Sequence, residues 1–472
     1  MSELTKVIFK SIEEIEEKEK MNVSREAYRQ KFHIMPPVGW LNDPNGLCYF
    51  KGEYHVFFQY APFNAKGGLK TWAHYTSKNL IDWQYRGVAF VPDCPYDCHG
   101  VYSGSAFVEG DTMHLFYTGN VKYDGNYDYI NNGREAYTMK SESVDGVNFM
   151  PKKCLMSLSD MPKNYTCHIR DPKVYKENDE YLMVLGGRKK GDRGAVLVYS
   201  SNNIEDWTFK KEIMSDKPFG YMWECPDILK FGDKEFLSMC PQGLTREEYR
   251  FQNVYQSGYV IIENDEINTD NFKEWDYGFD FYAPQTFTDE NGRVILIGWM
   301  GVPDTENEYT NPTTNRGWQH NLTLLREIKY SDGKLLQYPV LEFNNLRKEK
   351  FEIKSDVKNI FKGRCFDCEI KEIKYKVDIC ICEDVNFNWN EGIATLSLTE
   401  KTGCGRKTRK AKIENVNNVR IVTDVSSIEI FVNDGEYVFT TRFYPEVNEY
   451  SITVSSDAKI IEAWELKAMK GI

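Results

Sequence analysis

Read for its hydrophobic and polar positions, the N-terminal two thirds of the chain repeats one layout five times: a short strand, a polar turn, then an apolar strand. The turn-plus-strand copies are KGEYHVFF (Lys51 to Phe58), GDTMHLFY (Gly110 to Tyr117), NDEYLMVL (Asn178 to Leu185), GDKEFLSM (Gly232 to Met239) and NGRVILIG (Asn291 to Gly298). They recur about every 60 residues. A second periodic mark follows the apolar strands: SKNLIDW (Ser77 to Trp83), SVDGVNF (Ser143 to Phe149), SNNIEDW (Ser201 to Trp207) and FKEW (Phe272 to Trp275). Four-stranded units of this length predict an all-β chain that opens as a five-bladed β-propeller over residues 31–338. Residues 1–30 read as an acidic helical segment, mostly solvated, with Ile12 and Ile15 as a thin apolar stripe able to dock on the body. After a charged linker at 339–350 the repeat stops. Alternation in SSIEIFVNDGEYVFTTRFY (Ser426 to Tyr444), broken by an Asn433-Asp434-Gly435 turn, predicts a C-terminal β-sandwich over 351–472.

The repeat also aligns residues that carry chemistry. Counting back eleven or twelve positions from His55, His114, Leu182, Phe236 and Val294 lands on Asp43, Ser103, Asp171, Glu224 and Tyr282. Equivalent positions of a propeller crowd around one axis, so three acids from separate units would share a pocket. Proline follows closely at Asp43-Pro44, Asp171-Pro172, Glu224-Cys225-Pro226 and Tyr282-Ala283-Pro284. Because proline cannot donate to a ladder, it favours an edge strand, here the one facing the central channel, with the acids on stiff, extended backbone. Clustered like charges cost stability, which points to function over ordinary turn acids. A calcium site is the other reading of clustered oxygens, but the chain has no D-x-D-x-D-G loop.

Composition narrows the classes. With 41% hydrophobic and 14% aromatic residues in 472, the chain is an ordinary globular protein of more than one domain. A net charge of −12 argues against nucleic acid and anionic lipid as partners. The N-terminus is acidic where a signal peptide needs an apolar core, and no run of 18 apolar residues suggests a membrane span, so a cytoplasmic location is expected. Twelve cysteines then read as free thiols. Cys365-x-x-Cys368 with Cys380-x-Cys382 is spaced poorly for zinc, since the second pair sits at strand period, and these are read as small buried hydrophobes. Neither a metal nor a cofactor is expected. Oligomeric state has no signal in the sequence.

WLNDPNG (Trp40 to Gly46), FFQY (Phe57 to Tyr60), TWAHYTSKNLIDW (Thr71 to Trp83), YSGSA (Tyr102 to Ala106), FYTGN (Phe116 to Asn120), RDPK (Arg170 to Lys173), ECPD (Glu224 to Asp227) and YGFDFYAPQTF (Tyr277 to Phe287) together resemble glycoside hydrolase family 32, the β-fructofuranosidases. The resemblance runs from about Tyr28 to the end and implies the propeller-plus-sandwich fold and a retaining mechanism on a β-fructosyl unit. Carried over motif by motif, Asp43 matches the nucleophile, Glu224 the acid/base and Asp171 the transition-state stabiliser. Those types suit the chemistry: Glu224 holds a proton for the leaving oxygen, favoured by the like charge of Asp43, and Asp43 attacks the anomeric carbon. Asn42, Gln59, Trp72, Ser103, Arg170 and Trp299 are implied as the lining of the fructose pocket. Ala73 in TWAH and the segment NNGREAYTMK (Asn131 to Lys140) depart from the usual family text, which leaves substrate range open. Sucrose-6-phosphate and sucrose are the implied substrates, with fructans or fructo-oligosaccharides as alternatives. Arg188, Lys189, Lys190, Lys66 and Lys70 are candidates to hold a phosphate. Two rival classes remain: an inverting arabinofuranoside-type propeller glycosidase, whose carboxylates would stand about 6.5–9.5 Å apart, and a sugar-binding propeller without catalysis, which would lack one of the acids.

Overall fold

The computed structural model describes residues 2–264 and 266–472. All five apolar copies are strands, and each is, in chain order, the second strand of its own sheet, antiparallel to the strand before it: Glu53–Ala61, Thr112–Lys122, Glu180–Lys189, Lys234–Gln242 and Val294–Trp299. The polar turn before each holds a left-handed residue, at Lys51 and Gly52, Gly110, Asn178, Gly232 and Gly292. Tight hairpins between right-twisted strands need that conformation. Three copies of the second periodic mark are turns as well, whereas the fourth, FKEW, holds the short strand Lys273–Glu274. Asn79, Asp145 and Asn203 each accept backbone N–H groups from the residues two and three ahead. The side chain thus closes the turn in place of a backbone carbonyl.

The first strands of the five sheets are Gly39–Phe50, Val101–Glu109, Tyr165–Glu177, Met222–Phe231 and Tyr282–Thr288. They pack against one another in sequence order, and the fifth returns to the first. Each sheet is apolar on both faces, so each neighbouring pair encloses a separate core. Phe57 and Trp72 of the first sheet meet Val101 and Leu115 of the second. Phe116 meets Ile169 and Leu185, Val184 meets Trp223 and Leu237, and Phe236 meets Phe281 and Leu296. Leu41 and Tyr60 close the series against Ile295 and Ile297.

The helix Glu3–Ser24 docks on that last core through Ile12 and Val23. Its Glu16 accepts a 2.7 Å hydrogen bond from the Tyr85 hydroxyl, and its Thr5 donates at 2.7 Å to Asp93. Beyond Pro339 come a 3₁₀ turn, Leu341–Leu346, and two six-stranded sheets that share one core containing Phe366, Ile379, Phe387, Ile430 and Phe439. The first of those strands, Arg347–Glu352, begins inside the stretch that reads as a linker. It is an edge strand whose Lys348 and Lys350 pair across to Glu465 and Glu462, so its charge conceals its pairing. Buried ion pairs lock the two parts together. Arg406 grips Asp280 with two 2.8 Å bonds, Arg326 reaches Glu429 at 2.5 Å, and His33 lies between Asp424 and Glu429. Removing one partner of such a pair costs about 3–5 kcal/mol, because the other is left charged and dry.

Candidate active site

Every first strand carries a bulge at the same level. Pairing slips between Leu41 and Pro44, between Val101 and Gly104, opposite Arg170 to Lys173, between Glu224 and Asp227, and between Tyr282 and Gln285. Asp43, Ser103, Asp171, Glu224 and Tyr282 all sit at these slips. A bulge bends its strand and re-aims a side chain, which turns five in-plane residues toward one place. The backbone differs from the extended form expected before proline. Asp171, Cys225 and Ala283 each precede a proline and have φ of 63°, 48° and 48°. Left-handed residues let the strand absorb an extra position and resume pairing. Such strain, about 1–3 kcal/mol per residue, is held by the packed sheets around it.

Hydrogen bonds knit two halves of the site. On one side the Ser103 hydroxyl donates to Asp43 Oδ2, and Asn42 Nδ2 donates to Asp43 Oδ1 at 3.0 Å. Gln59 ties these donors together, accepting from Asn42 at 2.8 Å and donating to Ser103 at 2.5 Å. On the other side four donor contacts converge on Glu224. Arg170 gives two to Oε1, at 2.8 and 2.6 Å, while Gln242 and Tyr282 each donate to Oε2 at 2.7 Å. Asp171 is held separately: its backbone N–H donates to Thr118, and its Oδ2 accepts the Cys225 N–H at 2.9 Å, next to Glu224.

The acids feel one another. Burial pushes the Asp43 carboxyl above its ordinary range and the charge of Glu224 adds to that, while Ser103, Asn42 and Lys70 pull it back. Burial pushes Asp171 up to about 7, with Glu224 and Asp43 adding repulsion and Arg170 opposing. Lys70 lies 4.8 Å above the Trp40 ring and is pushed down to about 7 by burial, against the pull of Asp43. Among the described residues no cluster of His, Cys, Asp and Glu is arranged to hold a metal ion.

Of the residues expected to line the pocket, Asn42, Gln59, Ser103 and Arg170 are all in direct contact with an acid or with its partner. Trp299 is nearby, edge-on to His320 with ring centres 5.0 Å apart and 5.9 Å from Trp40, and among the described residues its indole N–H has no hydrogen-bond partner. Trp72 differs. It is 0% exposed, its N–H is spent on the Tyr102 carbonyl at 3.1 Å, and Phe57, Phe90 and Tyr117 pack around it. It therefore buttresses Tyr102 and Ser103 from behind instead of presenting a face to a sugar. Gln242 and Lys70 join the site without a motif to mark them as contacts of the acids. Tyr282 stands in the sequence in the repeat and inside the YGFDFYAPQTF motif, without a role assigned to it. The phosphate candidates in the Arg188 turn are already engaged: Arg188 with Asp192, Lys189 with Glu212, and Lys190 with the Lys163 carbonyl.

Asp171→Asn has an expected signature in stability. An acid with a raised folded value is protonated in the fold where the unfolded chain is ionised. Its contribution is intact below about pH 4 and is lost as the pH rises toward the folded value of about 7. The neutral variant escapes that loss. Urea unfolding from pH 4 to 9 should show the variant gaining on the parent by a few kcal/mol up to neutral pH, then a plateau. A difference independent of pH would show that Asp171 does not titrate in this way.

A family model described as the glycosyl hydrolases family 32 N-terminal domain matches residues 33–339, and one for the family 32 C terminal matches residues 385–467. The chain is 38% identical to a sucrose-6-phosphate hydrolase of Bacillus subtilis over 95% of this chain and 96% of that one. It is also 38% identical to one from Staphylococcus xylosus, over 92% and 91%. Among solved structures, a sucrose-6-phosphate hydrolase from Lactobacillus gasseri superposes with a TM-score of 0.88 at 27% identity, covering 97% of this chain and 96% of that one. A family 32 beta-fructofuranosidase from Bombyx mori gives 0.85 at 29%, over 98% and 99%. With both family models matched in order and the bulged acids lying within the first, the chain belongs to glycosyl hydrolase family 32.

Proposed function

We propose that this protein is a retaining β-fructofuranosidase that removes the terminal fructosyl unit of sucrose-6-phosphate, and of sucrose less efficiently. The observation that carries the reading is the pairing of two differently equipped carboxylates: Asp43 held by neutral donors, and Glu224 held by Arg170, Gln242 and Tyr282. Asp43, oriented by Ser103 and Asn42, attacks the anomeric carbon. Glu224 passes a proton to the departing oxygen, then takes one from water so that the fructosyl ester on Asp43 is hydrolysed. Two displacements preserve configuration. Asp171, beside Arg170, holds fructosyl hydroxyls and favours the positive charge that builds on the ring.

The closed series of first strands supports a five-bladed propeller over residues 31–338, with a sandwich behind it from 351 to 472. The long identity to sucrose-6-phosphate hydrolases supports the phosphorylated substrate. A charged phosphosugar does not cross a bilayer unaided, so an enzyme consuming it works where it is made, which is the cytoplasm in this reading. No helix among the described residues is long and apolar enough to span a membrane. The test is to incubate purified protein with sucrose-6-phosphate, sucrose, an inulin-type oligomer and an arabinan, and to follow released monosaccharide. Fructose released fastest from sucrose-6-phosphate, with the β-anomer appearing first by NMR, is the expected result. Release of arabinose alone, or of an inverted anomer, would overturn it.

A further inference from the structure

The second sheet brings two cations together beside the acids without neutralising either. Lys122 ends one strand and Arg134 begins the next, and the two are direct cross-strand partners. Like charges opposite each other on a ladder are unfavourable. Among the described residues neither forms an ion pair with a carboxylate, and the Arg134 Nε is buried with no hydrogen-bond partner. Alternation along the strand turns Glu135 to the other face. Asp128, in the loop between them, is committed to the N–H groups of Ile130 and Asn131 and to the Asn131 side chain.

The position of Arg134 gives the pair a direction. Its guanidinium lies 5.8 Å from the centre of the Tyr102 ring, next to Ser103, and it acts electrostatically on Arg170 and Glu224. It therefore stands at the rim on the side of Glu224, where a leaving group must sit to receive that proton. Lys122 stands 5.9 Å from the Tyr129 ring and feels the charge of Arg134. Behind them His168 is flanked by Arg170, Arg134 and Arg188, and its Nδ1 accepts from the Arg170 guanidinium at 2.9 Å. Arg170 and Arg188 are paired with Glu224 and Asp192, which leaves Arg134 and Lys122 as the cations of this group with no carboxylate partner among the described residues, an arrangement that an anion would complete.

We propose that Arg134 and Lys122 form the subsite that binds the phosphate of the leaving sugar, which makes them specificity-determining residues that the fructosyl transfer itself does not need. This rests on the fructosidase reading above. A guanidinium fork matches two phosphate oxygens, and a neighbouring ammonium adds a flexible point charge. Lys70 is the competing cation, but it lies over Trp40 and is drawn toward Asp43, on the side of the nucleophile.

The experiment compares Arg134→Gln, Arg134→Lys and Lys122→Gln with the parent on sucrose-6-phosphate and on sucrose, with Tm measured for each. Charge-assisted contacts of this kind are worth about 10- to 100-fold in kcat/KM. R134Q should lose that factor on sucrose-6-phosphate and keep its rate on sucrose, R134K should recover part of it, and the exposed K122Q should lose a smaller share. Inhibition by glucose 6-phosphate, stronger than by glucose in the parent, should fall in step. Equal losses on both sugars, or none on either, would overturn the subsite while leaving a fructosidase. A parent protein that cleaves neither sugar would instead defeat the reading on which it rests.

Discussion

Replacing Asp43 by Asn is expected to lower kcat on sucrose-6-phosphate by about 10⁴-fold or more, with the folded protein as stable as the parent or slightly more so. The two halves of that expectation come from different physics. Turnover fails because a neutral amide oxygen cannot form and release the fructosyl ester, and Ser103, Asn42 and Gln59 have no chemistry of their own to replace it. Stability holds because burial already disfavours the charge on Asp43, so the amide removes a cost of desolvation. The amide oxygen still accepts from Ser103, while the new NH₂ group meets the Asn42 amide donor, which Gln59 and Trp40 hold in place, so part of that gain is offset. The measurements are steady-state rates on sucrose-6-phosphate and Tm by calorimetry. Full activity in a well-folded variant would remove Asp43 from the nucleophile's role.

What could be read in the sequence was what local chemistry dictates. Each hairpin carries its turn residue within two positions of its apolar strand, so the second strands at Tyr54 or Leu182 could be placed from pattern alone. The five-residue register of Asp43, Ser103, Asp171, Glu224 and Tyr282 was also there, because bulges recur at a fixed distance from those turns. The bulges themselves were not. A slip in pairing is a property of two strands, and the prolines pointed to extended backbone where Asp171, Cys225 and Ala283 are left-handed. Trp72 shows a related gap, since a tryptophan in a motif reads the same whether its face meets a sugar or Phe57 and Phe90. The cations illustrate it most clearly. Arg188 and Lys189 form the conspicuous basic run but find Asp192 and Glu212 in the fold, whereas Arg134, a single basic residue in a polar stretch of sequence, has no carboxylate partner among the described residues. Charge compensation is settled across strands, so sequence neighbours are a poor guide to it.

Glu224→Gln should separate the two steps of the reaction, which no other single substitution at this site can do. On sucrose-6-phosphate, where departure of the sugar needs a proton, kcat is expected to fall by about 10²- to 10⁴-fold. On β-fructofuranosyl fluoride, departure needs no proton, and Asp43 remains intact to attack. The first displacement should then run while the second stalls, because no base is left to take a proton from water. The expected trace is a burst of fluoride near one equivalent per enzyme, followed by a slow steady rate, with a fructosyl adduct on Asp43 visible by intact-protein and peptide mass spectrometry. The amide keeps the volume of the Glu224 side chain, but Arg170 loses its charged partner across 2.6–2.8 Å, so unfolding must be measured alongside. Asp43→Asn is the internal control, since it should give no burst with the fluoride at all. If Glu224→Gln hydrolyses the fluoride at the parent rate with no burst, water is being activated by some other group, and Glu224 is not the residue that serves both steps.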